Sequence, residues 1–536
     1  MSTDDDAKPW SKDFPPGPYD YLVIGSGMGG MTTAALLAKL GKRVLVLEQH
    51  YVPGGFTHMF KRPGFKWDVG VHAVGEVTDH SLTGRILTAL TDGKLEWASL
   101  GDVYDEFHYP DGFRIDFPDT PADFRQNLID AFPDETKAID EYLHLVRAVS
   151  KSMKTYYLSR LAPEKVGRVT DLMFGREAKK YLTTSTLDTI RELTDDPHLQ
   201  SVFAAQWGYY GSVPSRSSFA MQALVVKHFF HGGYYPVGGA SRIAQTLLQT
   251  VADAGGWTAI RADVDHILVE GGAAVGARLT DGREVRADRV VSAAGVASTV
   301  RRLLPAPHCD DAWAQEVDAL PPGPAHVCLY VGFEGDIRAA GAGAANKWFY
   351  ETWDTEVDGW DVSVDAETLD PAPVLYCSFP SLKDPEHDPG PKERHTGEVV
   401  TFVPYDVFVP WRDGRWKKRG DEYEAFKTRM KERLLAQLFE HMPELEKHLV
   451  FAELSTPVST EHFVRPVRGS IYGLEPTPTR FENRWLRPRA PVQNLFFSGS
   501  EVATVGVIGA MMGGVLATLS AEPVDAARFL APLARR

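Results

Sequence analysis

Three glycines, Gly25, Gly27 and Gly30, stand between a short apolar run and a helical pattern. The run Tyr19-Asp-Tyr-Leu-Val-Ile24 is rich in β-forming residues, and Ala34, Leu37 and Leu40 recur at helical spacing behind the glycines, so the segment reads strand, tight turn, helix. Gly25 permits the turn that carries Ser26. Gly27 lets the backbone approach a pyrophosphate, and Gly30 lets the helix pack on the strand, while the N–H groups at the helix start face the anion. A second strand, Arg43 to Leu47, ends at Glu48, about 20 residues past the first glycine. A carboxylate there accepts both hydroxyl protons of an adenosine ribose and repels a 2′-phosphate, which disfavours NADP. A glycine turn alone occurs in any α/β protein; strand, glycines, helix, strand and acid in one register predict a dinucleotide site. Gln49 adjoins the acid, and Pro53-Gly54-Gly55 offers a second surface without side chains, which favours FAD over NAD as the cofactor.

Further along, Val264 to Glu270 and Ala273 to Leu279 alternate as strands, and Asp281-Gly282 makes a hairpin turn. Val285 to Ala294 is expected to return as one strand ending at Gly295. Near the C-terminus, Asn494 to Phe497 reads as a strand running through Gly499 to Glu501, followed by the helix start Gly506-Val507-Ile508-Gly509. A helix N-terminus there would stabilise negative charge on a reduced flavin by about 0.3 to 1 kcal/mol. A strand-to-helix turn closing the core accounts for the same spacing equally well.

With 536 residues and 43% hydrophobic content, the chain has room for two large, interleaved domains. A net charge of -15, with no basic tract longer than Lys417 to Arg419, gives no footprint for nucleic acid. Cys309, Cys328 and Cys377 are too far apart for a redox pair or a zinc cluster, so no metal site is expected. Met1 to Pro18 is acidic and proline-rich, without the basic start and apolar run of a secretory signal, and the expected location is cytoplasmic. Val502 to Leu519 is interrupted by Thr504, Gly506, Gly509, Gly513 and Gly514, which suits a buried helix better than a membrane span. Helical patterns fill Pro133 to Leu193 and Asp421 to Met442. In Pro410 to Arg419, Trp411 and Trp416 accompany basic residues; a solvated loop is the plain reading, and peripheral membrane contact is the alternative.

Several blocks in order resemble the carotenoid desaturase and isomerase family of flavoproteins, most closely its all-trans-retinol 13,14-reductase branch. They are Leu47-Glu48-Gln49-His50 with Gly54-Gly55, Asp68-Val-Gly70-Val-His72, Gln206 to Gly211 with Pro214 to Phe219, Gly233 to Ala240 around Tyr235, Gly469-Ser-Ile-Tyr472-Gly473, and Gly499 to Glu501. The resemblance implies an α/β fold with a Rossmann-type FAD domain of the glutathione-reductase or amine-oxidase kind, built from 1–90, 230–305 and 455–536. A mixed α+β substrate domain would take 91–229 and 306–454, with an apolar tunnel ending at the flavin. It implies saturation or desaturation of a C=C bond in a long hydrophobic substrate: a retinoid, a carotenoid or an unsaturated fatty acyl chain. Glu48 would bind the adenosine ribose, Val264 would meet adenine through its backbone, and Glu501 would hold the ribityl or pyrophosphate region. That motif carries Asp in the family, so the longer Glu501 would make its contact from a shifted position or through water. His72, Tyr472 and Tyr235 are candidates to supply the proton, each with an ordinary structural role as the alternative. A lipid of ~20 carbons, at ~0.8 kcal/mol per buried CH2, costs on the order of 16 kcal/mol to place in water, so it must arrive from a membrane, micelle or carrier. A redox-neutral isomerase, an amine or porphyrinogen oxidase, and a non-catalytic lipid-binding or escort protein remain as alternatives. One glycine fingerprint leaves no second site for a bound nicotinamide, and the electron donor and oligomeric state stay open.

Overall fold

The computed structural model describes residues 8–161 and 176–535. Its first sheet has six strands, all parallel, in the order Trp10–Ser11, Trp257–Ile260, Val44–Glu48, Tyr21–Ile24, Arg289–Ser292, Leu495–Phe497. Tyr21–Ile24 and Val44–Glu48 are buried at every position, as parallel strands covered on both faces must be. Alternate residues divide between two cores. Val23, Val46, Val291 and Phe496 face helices Met28–Lys39 and Gly506–Ala521, while Leu22, Leu45, Val290 and Leu495 face the opposite side with Ile267, Ala277 and Leu279. Met28–Lys39 is the crossover between Tyr21–Ile24 and Val44–Glu48, as expected from its spacing.

Gly506–Ala521 is a buried helix, also as expected. Its glycines are contact points: a Cβ at Gly513 would lie 2.0 Å from the Gly499 carbonyl oxygen, and one at Gly514 2.6 Å from that of Gly29. Among the described residues no helix is long and apolar enough to cross a membrane.

The meander consists of Val264–Glu270, Ala273–Leu279 and Glu284–Arg286, all antiparallel. The single strand expected from Val285 to Ala294 is in fact two. Glu284–Arg286 pairs within the meander, and Arg289–Ser292 pairs with Tyr21–Ile24. Ala287 N–H bonds the Val275 carbonyl whereas Asp288 N–H bonds that of Tyr19, so the chain changes partners there. Val285 and Val290 are buried on either side of that change, and a pattern of burial carries no signal of it.

A second large sheet has the order Leu449–Ser455, Ala325–Glu334, Arg394–Val403, Val374–Ser378, Asn346–Tyr350, Val103–His108, Arg114–Pro118. Every pair is antiparallel except Asn346–Tyr350 with Val103–His108. Helix Asp421–His441 packs Tyr423, Phe426, Met430, Leu434 and Leu438 on one face of it. Helix Thr136–Leu161 buries Ile139, Tyr142, Leu143, Val146 and Val149, chiefly against Phe219–His228; part of the helical stretch expected up to Leu193 lies outside the described residues. Trp411 lies inside the fold and offers nothing to a surface. It is buried and stacked on Phe426 at 5.8 Å, and only Trp416, beneath the Lys417 ammonium, is part-exposed.

The hairpin Met59–Arg62 with Phe65–Asp68 joins the two sheets. Trp67 Nε1 donates to the Val331 carbonyl at 2.9 Å and Asp68 N–H to Glu398 Oε1 at 2.9 Å, which anchors the segment leading to His72 on the antiparallel sheet.

Candidate active site

A cleft with about 1750 Å³ of atom-free space runs from the carboxyl ends of the parallel strands toward the antiparallel sheet, where ligands of open α/β sheets bind. Of the residues singled out from sequence, Gly25, Ser26, Gly27, Glu48, Gln49, Gly55, Val264, Gly499, Glu501, Gly506, His72 and Tyr472 line it.

Five do not. Gly30 is a packing residue, since a Cβ there would stand 2.1 Å from the Gly25 carbonyl oxygen, and Gly509 likewise would meet the Thr504 oxygen at 2.1 Å. Gly54 supports the turn from behind, its N–H donating to Ser26 Oγ at 3.0 Å. Ile508 points into the apolar core. Tyr235 is 1% exposed, and its hydroxyl donates to Asp68 Oδ2, behind the wall that His72 forms.

At one end of the cleft Glu48 ties its strand to the glycine turn. Its Oε2 accepts Ser26 N–H at 3.0 Å and Ser26 O–H at 2.5 Å, and its Oε1 accepts His50 N–H at 2.7 Å. Three bonds leave part of the carboxylate's accepting capacity for a ligand. The Gln49 amide is already committed, donating to the Phe463 carbonyl at 2.6 Å. Two arginines that sequence reasoning missed also line this cleft. Arg465 is held bidentately by Asp263 at 2.5 and 2.8 Å, while Arg302 has no ion-pair partner among the described residues.

The middle is shaped for close approach. A Cβ on Gly27 or on Gly499 would meet no protein atom within 4 Å, so packing does not require glycine at Gly27. Gly27 caps helix Met28–Lys39 without any side-chain hydrogen bond, and no acid sits in the first turn. Unpaired N–H groups before bare backbone suit a pyrophosphate. Glu501 Oε2 accepts Ala297 N–H at 3.0 Å, and the carboxylate is flanked by Gly295 and Gly473.

The inner end is walled by His72, Ile471 and Tyr472. Tyr472 O–H donates to the Gly208 carbonyl at 3.1 Å, and burial pushes its pKa up. Behind it Trp207, Tyr209, Trp348, Tyr376 and Phe402 belong to one apolar cluster. The His72 ring meets Tyr376 edge-on at 5.1 Å, and its Nδ1 lies 2.9 Å from Glu398 Oε2. Burial lowers the His72 pKa to about 3, with Lys383 adding to the effect and Asp68 opposing it. Burial likewise raises Asp68 to about 7, with the Glu398 charge adding to the rise, and lowers Lys383 to about 7. Glu398 and Lys383 carry no motif. The one signal in sequence was an acid inside a β-rich run, Gly397-Glu398-Val399-Val400.

Comparison with known proteins agrees with this geometry. The family model for flavin-containing amine oxidoreductases matches residues 28–518. An all-trans-retinol 13,14-reductase of Danio rerio is 32% identical over 93% of this chain and 85% of its own length. A second Danio rerio relative, named an inactive all-trans-retinol 13,14-reductase, is 30% identical over 94% of this chain and 85% of its own. A prolycopene isomerase of Daucus carota is 26% identical over 86% of this chain and 72% of its own. Among solved structures, putrescine oxidase bound to putrescine superposes with a TM-score of 0.62 at 16% identity, over 95% of this chain and all of that one. The cofactor is FAD, and the bare glycines, the uncapped helix start and Glu48 are what such a dinucleotide requires. The chain belongs to the flavin-containing amine oxidoreductases, in the branch of the all-trans-retinol 13,14-reductases.

Proposed function

We propose that this protein is an FAD-dependent oxidoreductase that saturates a C=C bond of a long conjugated lipid of the retinoid or carotenoid kind. The observation that carries the reading is the inner end of the cleft, where His72 and Tyr472 stand between the flavin site and an aromatic, apolar cluster. Bound FAD, once reduced, supplies a hydride to one carbon of the double bond. The chain's own residues hold the dinucleotide, exclude water with the aromatic wall, and hold a proton for the other carbon at His72. Conjugation in the substrate is needed because an isolated alkene offers too little stabilisation to developing charge.

The cofactor roles follow the geometry. Glu48 would bind the adenosine ribose with its remaining lone pairs, Val264 at the start of its strand would meet the adenine, and Gly27 would admit the pyrophosphate. Glu501 supports the ribityl chain while keeping its bond to Ala297. The division into an FAD part (1–90, 230–305, 455–536) and a substrate part (91–229, 306–454) is supported by the parallel sheet drawing on the former and the seven-stranded sheet chiefly on the latter.

An amine substrate is disfavoured by the acids of the cleft. Glu48, Asp263 and Glu501 are its lining carboxylates; Asp263 is held by Arg465, and the free capacity of Glu48 and Glu501 is taken up by the FAD in this reading, so none is left to meet an ammonium. The test is anaerobic turnover of detergent-solubilised all-trans-retinol or a carotenoid by the chemically reduced holoenzyme, with products weighed. A product heavier by two hydrogens supports saturation; a product of unchanged mass from an altered double bond would replace it with isomerisation.

A further inference from the structure

Behind His72 lies a polar cluster enclosed by the apolar core. Glu398 is wholly buried on the strand Arg394–Val403, and its Oε1 accepts the Asp68 N–H. Its Oε2 and His72 Nδ1, 2.9 Å apart, have no other partner. The contact is off-line for a hydrogen bond, as is common for catalytic groups before substrate arrives. On the ring's other side Nε2 makes no hydrogen bond within the described chain, and the ring lines the cleft.

Two polar atoms 2.9 Å apart in an apolar interior are best satisfied by one proton between them. If neither carried one, two lone pairs would face each other without solvent; if the ring carried a second, an imidazolium–carboxylate pair would bear the desolvation of two ions. A single proton on Nδ1 would leave Glu398 a wholly buried anion, whereas one on the carboxyl leaves both groups neutral. The surroundings already contain a cation: Lys383 Nζ donates to the His72 carbonyl at 2.7 Å, to Asn346 Oδ1 at 2.5 Å and to Ser378 Oγ at 2.7 Å. Asp105, bonded to the Asn346 amide at 2.9 Å, and Asp68, which accepts from Tyr235, are the acids that balance it. His326, Tyr376, Tyr330 and Cys328 also face the pair, and burial holds each in its neutral form.

We infer that Glu398 is a buried carboxylic acid that donates to His72 Nδ1, so that His72 presents an Nε2–H to the cleft and Glu398 replaces the proton as His72 gives it up. The inference rests on the saturase reading of the site. In the step, the C=C π bond breaks and two C–H bonds form. One takes hydride from reduced FAD, which is oxidised; the other takes the Nε2 proton. The Glu398 proton passes to Nδ1, His72 ends neutral in its other tautomer, and the carboxylate left behind keeps the Asp68 N–H and the field of Lys383. A solvent proton entering through the cleft restores the acid. Burial raises Glu398 far above the ordinary carboxylate range, against the lowering effects of Lys383 and the Asp68 N–H, which agrees with the geometry.

Glu398 is a positioning residue, and its test is therefore partly independent of turnover. Glu398→Gln keeps an acceptor for Asp68 N–H and a donor for His72 while removing the transferable proton. In the wild-type protein at neutral pH, infrared spectroscopy should show a protonated-carboxyl C=O band that Glu398→Gln abolishes, and ¹⁵N NMR should find His72 protonated at Nε2. With a polyene substrate, kcat of Glu398→Gln should fall roughly 100-fold with KM little changed, and Glu398→Asp should recover part of the loss. Survival of every such band in Glu398→Gln, or a His72 protonated at Nδ1 in the wild type, would overturn the inference. Absence of polyene turnover in a wild-type protein that shows the band would overturn the saturase reading instead.

Discussion

Ser26 gives both its backbone N–H, at 3.0 Å, and its hydroxyl, at 2.5 Å, to a single oxygen of Glu48. The acid thereby fixes the glycine turn to the end of the neighbouring strand, and the same carboxylate is left facing the cleft. Glu48→Gln turns one oxygen into a donor that cannot accept from Ser26. A hydrogen bond to a charged group contributes about 1.5–3 kcal/mol, so the FAD dissociation constant should rise roughly 10- to 100-fold. Fluorescence titration of apoprotein measures it, and an unchanged constant would remove Glu48 from the cofactor site.

Two glycines of the turn should behave oppositely. A Cβ at Gly27 meets nothing, whereas one at Gly30 would lie 2.1 Å from the Gly25 carbonyl oxygen. Gly27→Ala should leave the melting temperature of the apoprotein unchanged yet weaken FAD binding. Gly30→Ala should destabilise the apoprotein by about 1–3 kcal/mol. Paired thermal melts and FAD titrations decide the matter.

Arg302 lines the cleft without an ion-pair partner among the described residues. A guanidinium free to meet a phosphate of FAD should matter for cofactor binding and little for folding. Arg302→Ala is expected to weaken FAD binding roughly tenfold, the effect of one charge-assisted bond, with no change in unfolding midpoint. A shifted midpoint with unaltered affinity would place it in the scaffold.

Tyr472 is already committed, its hydroxyl donating to the Gly208 carbonyl. Tyr472→Phe should therefore cost about 1 kcal/mol of stability and leave polyene turnover within about fivefold of wild type, whereas His72→Gln should abolish it. The reverse order of effects, at equal FAD occupancy, would make Tyr472 the proton donor.

The buried acids set an opposing pH dependence. Burial raises Asp105 to about 7 from its ordinary value of 3.8, so between those pH values the folded chain binds a proton there that the unfolded chain does not, and stability falls as pH rises. His58, His228 and His326, each lowered to about 4 chiefly by desolvation, act the other way over roughly pH 4 to 6.5, where the unfolded chain binds the extra protons. Asp105→Asn removes one opposing proton. Stability should then climb more steeply with pH in that window, by up to ~1.4 kcal/mol per unit, as read from denaturant midpoints at pH 5 and 6.5.

Much of the cofactor end was legible because one short stretch, Tyr19 to Glu48, makes a local unit whose turn, helix and strand each impose a residue type at a fixed spacing. The substrate end was not. Asp68, Glu398 and Lys383 come from distant strands and loops and meet only through the register of the antiparallel sheet, which no local pattern encodes. Tyr235 shows the same limit from the other direction: its block is recognisable, but only the fold reveals that its hydroxyl turns to Asp68 instead of the cleft. Arg289–Ser292 leaving the meander for the parallel sheet is a third case, since buried strands in either sheet have the same apolar appearance.

The most direct measurement follows the flavin spectrum of purified, anaerobically reduced holoenzyme after addition of a detergent-solubilised conjugated polyene, with the products weighed by mass spectrometry. The expected result is return of the oxidised-flavin bands at the rate at which a product heavier by two hydrogens appears, abolished in His72→Gln. A protein that remains colourless after reconstitution with FAD, or a reduced flavin that reoxidises only when oxygen is admitted and leaves the polyene unchanged, would contradict it.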